Sequence, residues 1–65
     1  MTDKKRWANI ICDKQMKPYM MIVTDGVTKS EIPISNTRLE SVKRWAYEVY
    51  NVAHKRILVT QVEEL

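Results

Sequence analysis

Proton transfer or nucleophilic attack near neutral pH falls to histidine, cysteine, paired carboxylates or an activated serine. This chain has one histidine, His54, and one cysteine, Cys12. Neither Cys12 nor any serine has an obvious base partner, and a histidine closing a helix tunes the helix dipole more readily than it moves protons. The carboxylates do not pair: Glu40 reads as a helix cap, Glu48 as a solvent-facing group, and Glu63 and Glu64 lie at the terminus. A phosphate-cradling loop needs several glycines, and Gly26 is the only one. A single cysteine and a single histidine build neither a Cys/His metal cage nor an intrachain disulfide. The composition therefore predicts no enzyme, no metal and no cofactor, and Cys12 reads as a small core hydrophobe.

Binding chemistry is better represented. Lys4, Lys5 and Arg6 run directly into Trp7, so a basic arm leads into an indole able to grip an acidic groove, stack on a base, or plug one end of a sheet. Residues 1–17 hold five basic against two acidic side chains, which accounts for the whole net charge of +3. Arg44, Trp45 and Glu48 supply a second cluster, with Trp45 fit either to complete a core or to anchor an interface. Glu40, Arg44 and Glu48 recur at four-residue spacing and neutralise one another, unlike the uncompensated cations of a groove-reading helix. Lys4, Lys5, Arg6, Trp7, Arg44, Trp45 and Glu48 are thus the candidate partner-binding residues. Met16, Met20 and Met21 cluster nearby as gap-fillers or an adaptable binding surface.

These groups must be positioned by four extended segments and one helix. Trp7 to Cys12 alternates, and Tyr19 to Thr24 is rich in strand formers. Asp25-Gly26 is a strong hairpin signal, leading into a third strand over Thr28 to Ile34. Pro33 cannot donate to a ladder, which places that strand at an edge or ends it. Thr37-Arg38-Leu39-Glu40 has capping-box form, and Leu39, Val42, Ala46, Val49 and Ala53 recur at helical spacing. His54, Lys55 and Arg56 then suit a helix carboxyl end. Ile57 to Glu63 alternates again as a strand. The order β-β-β-α-β predicts an α+β fold, a small antiparallel sheet with the helix packed on one face. The last strand can lie parallel to the third or beside the first.

At 65 residues the chain is one domain, with residues 1–5 expected as a flexible basic arm. A core this small is marginal, and self-association into a homodimer is one way to stabilise it. No apolar run is long enough to span a bilayer. No hydrophobic segment follows the basic start, so a cytoplasmic protein with a free thiol is expected.

Lys4-Lys5-Arg6-Trp7-Ala8, Ile32-Pro33-Ile34, the helix positions Leu39, Val42, Ala46 and Tyr50, and Val59-Thr60-Gln61-Val62 carry a resemblance. Over about half its length the chain resembles the very small RNA-polymerase inhibitor of T7-like bacteriophages. That resemblance implies a helix on a small antiparallel sheet and stoichiometric inhibition of bacterial RNA polymerase in the host cytoplasm. The stretch from Trp7 to Pro33 is longer than in that family, and Gln61 and Glu63 stand where its last strand carries arginines. A host-takeover protein binding a host complex is the leading expectation. A small nucleic-acid-binding protein and a neutraliser of a bacterial toxin or defence system are the alternatives.

Overall fold

The structure is a computed structural model that describes residues 6–62; the expected arm over residues 1–5 lies outside them. Strand β1 spans Trp7–Cys12, β2 Pro18–Thr24 and β3 Lys29–Pro33. Helix α1 spans Leu39–Glu48, and after a single 3-10 turn, His54–Arg56, strand β4 runs over Ile57–Gln61. The α+β expectation holds, with one refinement of the sheet. Strand order is β3-β2-β1-β4; β1, β2 and β3 pair antiparallel, but β4 pairs parallel to β1. The sheet is therefore mixed. β4 takes the place beside the first strand, because the helix carries the chain back across the sheet before it begins.

Alternation decides which residues are hidden. Ala8, Ile10 and Cys12 of β1 and Met21 and Val23 of β2 share one face with Val42 and Ala46 of α1, and all are buried. Ile34 and Val52 complete this core, and Trp45 and Tyr50 pack against it. Trp45 is thus a core-flanking side chain. Burial pushes the Cys12 thiol above its ordinary pKa, assisted by the Asp13 carboxylate and opposed by Lys43. That agrees with a packed hydrophobe. β3 is an edge strand and Pro33 is its last residue, as a residue without an N–H requires. Among the described residues no helix is long and apolar enough to cross a membrane.

Both connections in the β1–β3 meander are organised by an aspartate. Asp13 Oδ1 accepts the N–H groups of Gln15 and Lys17, each at 2.9 Å, while Met16 takes a φ of 62°. The tight return shifts the register: Ile11 pairs with Met20 but Cys12 with Pro18, leaving Tyr19 as the extra residue of a bulge. Asp25 Oδ1 accepts from Val27 N–H at 2.9 Å and Thr28 N–H at 2.8 Å, and Gly26 supplies a φ of 96°. The expected hairpin is present, closed by residues 25–28.

Those hydrogen bonds, first from Thr28 and then from Val27, hold the Asp25 carboxyl below its ordinary pKa. A carboxylate favoured in the folded state stabilises fully above its unfolded pKa, and that contribution fades as pH falls through the lowered folded value. Asp25→Ala should therefore melt below wild type at pH 7, with the difference shrinking in acid below about pH 4. Thermal melts of both proteins across that range test it. A difference unchanged into strong acid removes the charge-assisted turn from the account.

The helix departs from expectation at both ends. Arg38, not Thr37, occupies the N-cap and makes no side-chain cap hydrogen bond. The Thr37 hydroxyl instead donates to Ser35 O at 2.9 Å, so the capping box does not form. At the other end Asn51 adopts a φ of 58°, a left-handed residue of the type that stops helices. Val52 N–H turns back to Ala46 O at 3.1 Å. The apolar ridge is cut short as a result. Val49 is 56% exposed, Ala53 lies past the helix, and Val52 fills the core in their place.

His54, Lys55 and Arg56 consequently do not close α1, whose last turn holds no basic residue. They form the separate 3-10 turn. His54 stacks on Tyr47 with ring centroids 4.0 Å apart, which ties that turn to the outer side of the helix. A cation does reach the helix end, from elsewhere in the chain: Arg6 Nη1 donates to Tyr50 O at 2.9 Å. Its charge lies where the helix dipole is negative.

Candidate functional site

A strand exposes one face for every residue it hides. Opposite Ala8, Ile10 and Cys12, β1 presents Trp7, Asn9 and Ile11. The register sets these level with Thr24, Ile22 and Met20 of β2. Asn9 and Ile11 are level with Leu58 and Thr60 of β4. The only described helix lies on the other side of the sheet, so no described element covers this face. Ile11, Met20 and Ile22 are half-buried by their neighbours alone, and Leu58 at the β4 edge is 47% exposed. Together they form an aliphatic strip running across three strands. A polar bond crosses it, where Thr60 Oγ1 donates to Asn9 Oδ1 at 2.8 Å.

One end of this face is aromatic and cationic. Trp7 is 43% exposed, and the Arg56 guanidinium carbon sits 4.7 Å from its ring centroid. Such a contact is a cation–π pair. The 3-10 turn immediately before β4 delivers Arg56 to that position. At the opposite end the bulge residue Tyr19 lines a shallow cleft with Asp13, Lys14, Gln15 and Val62.

The sequence-derived candidates do not form one surface. Arg6 and Trp45 converge on Tyr50: Arg6 bonds its carbonyl, and the Trp45 and Tyr50 rings meet edge-on at 5.6 Å. Arg44 and Glu48 are exposed on the same helix. Trp7 belongs to the opposite face of the sheet, because alternation sends consecutive residues to opposite sides. Lys4 and Lys5 lie outside the described residues. The Arg6–Trp7 pair is therefore split by the sheet itself.

Ile11, Ile22 and Leu58 were not among the candidates; Met20 was read as a gap-filler or part of an adaptable surface, and Arg56 only as a helix-end cation and, in the nucleic-acid alternative, a phosphate contact. A signal for them was present. β1 and β2 carry apolar residues on both faces, yet one helix can cover only one. Among the described residues no group of three or more histidine, cysteine, aspartate or glutamate side chains is placed to hold a metal. The chain matches no protein-family model, no curated protein and no solved structure.

Proposed function

We propose that this protein acts without turnover, by occupying a protein partner through its open sheet face, and that the partner is a host complex with bacterial RNA polymerase as first candidate. The observation that supports this reading is the uncovered aliphatic strip of Ile11, Met20, Ile22 and Leu58, flanked by Trp7 and Arg56. Burying such a strip against another protein removes apolar area from water at about 25 cal/mol per Å². Tryptophan and arginine at its border are the residue types that dominate interface energetics. The choice of polymerase rests on the resemblance carried by Ile32-Pro33-Ile34 and the helix positions.

The face also bears on the nucleic-acid alternative. Sheets that bind single strands do so with aromatic platforms in a basic groove. Here the centre is aliphatic, and Arg56 occupies one side of the single indole. A protein partner fits that chemistry better.

Titration into transcription assays with purified bacterial RNA polymerase is the test. Inhibition should saturate near one equivalent. The variant Trp7→Ala with Ile22→Glu, folded by circular dichroism, should bind at least about tenfold more weakly, the loss expected of one anchor. Arg44→Ala with Glu48→Ala should remain close to wild type. Absence of both binding and inhibition rejects the polymerase. Equal loss from the helix variant rejects the open face. Retention on nucleic acid with affinity falling by a log–log salt slope of roughly −0.9 per phosphate would transfer the function to the alternative.

A further inference from the structure

The two edges of the sheet are treated differently by the sequence. β3 carries Lys29, Glu31 and Pro33, the charges and proline that blunt an edge against further pairing. β4 reads Ile57-Leu58-Val59-Thr60-Gln61, uncharged throughout and without proline or glycine. Among the described residues it has a sheet neighbour only on the β1 side. Its free side offers the C=O groups of Ile57, Val59 and Gln61 and the N–H groups of Val59 and Gln61, the Ile57 N–H being already donated to His54 O. Cys12 lies level with Gln61, and Val62 N–H donates to Cys12 O at 2.9 Å. In a parallel ladder, N–H and C=O groups point to alternate sides residue by residue. Leu58 and Thr60, like Val62, therefore direct theirs toward β1, and Ile57, Val59 and Gln61 direct theirs outward.

We infer that β4 is a self-pairing edge, at which two copies of this chain join antiparallel about a two-fold axis at Val59 and continue the sheet from one copy into the other. In this register Ile57 stands opposite Gln61 of the second copy, and Val59 opposite Val59. Val59 forms a reciprocal hydrogen-bonded pair with its counterpart, and the Ile57 C=O accepts from the Gln61 N–H of the second copy, the Ile57 N–H staying with His54 O. Leu58 stands opposite Thr60, and within β4 no charge meets a like charge. The strand is self-complementary, as an isologous interface demands. A two-fold axis normal to the sheet keeps both helices on one side. The two open faces then become one surface, with a Leu58 on either side of the seam.

This inference is independent of the polymerase reading. A five-residue edge is a small contact beside the roughly 1,200–2,000 Å² of stable interfaces, so the dimer forms reversibly and dissociates on dilution.

Sedimentation equilibrium of the full chain, across roughly 10 μM to 1 mM, tests the pairing. The mass should rise from 7.7 kDa toward twice that value. Leu58→Lys with Thr60→Lys sets lysine against lysine across the seam and should hold the protein at the monomer mass. Leu58→Glu with Thr60→Lys makes the same two exposed positions attractive. It should restore association by at least about tenfold over the double-lysine protein. Circular dichroism establishes that both variants fold. A wild type that stays monomeric over the whole range overturns the inference. So does a double-lysine variant that associates like wild type, or a glutamate–lysine variant no better than it.

Discussion

Ile10→Ala is expected to cost about 2–5 kcal/mol, the range for truncating a buried aliphatic side chain to alanine. Ile10 has no exposed surface, sits in the central region of the sheet between β2 and β4, and faces the helix. Domains are held by about 5–15 kcal/mol, and one of 65 residues sits low in that range because so little of its surface is hidden. The variant should thus be substantially unfolded at 25 °C, whereas Ile10→Val should lose only about 0.5–1.5 kcal/mol. Urea titration followed by circular dichroism gives both values. Cys12 supplies an independent readout, since it shares the same buried face and its thiol is held in the protonated, unreactive form by burial. Disulfide-exchange reagents should label it slowly in wild type and rapidly in Ile10→Ala. Equal labelling rates and an unmoved midpoint would remove Ile10 from the core.

The second large effect separates two valines that the helical spacing treats alike or ranks the other way. Val52→Asp should abolish folding, because an unpaired carboxylate in a fully buried site costs several kcal/mol. Val49→Asp should change stability by no more than about 0.5 kcal/mol, as a surface substitution does. A continuous helix through Ala53 gives the reverse order, with Val49 on the core ridge. Thermal or urea melts of the two variants decide between these registers. If Val49→Asp is the more damaging, the chain reversal at Asn51 is misplaced.

That contrast shows what was legible in the residues and what was not. β1 was readable to its end residues, since Trp7-to-Cys12 alternation is bounded by polar stretches and local pattern alone decides it. The hairpin was readable because Asp25 and Gly26 act within their own loop. The helix was overextended for a physical reason. Residues 49–53 retain helical spacing of apolar groups, but Asn51 accepts a left-handed backbone, and the reward for ending the helix is tertiary: Val52 in the core and Arg6 on the Tyr50 carbonyl. Neither contact is visible to a local reading. Thr37 has the right neighbours for a cap, yet its hydroxyl finds the nearer Ser35 carbonyl.

The site was half legible. Trp7 stood out by type, but its working neighbours come from β2 and β4 through strand register. Arg56 reaches it only because a 3-10 turn replaces the last helical turn. Arg6 and Trp7 are adjacent in sequence and belong to different sides of the molecule.

The parallel seam between β1 and β4 also has a consequence for how the chain comes to be folded. Its two strands are separated by the whole meander and the helix, so a long loop must close before any contact across the seam rewards it. During synthesis β1, β2 and β3 can assemble in turn, while the far side of β1 stays bare until residues 57–61 have emerged. Over that interval a strand with apolar groups on both faces offers an open row of peptide groups to whatever lies nearby. The newborn chain is therefore most prone to stray association just before its last strand arrives.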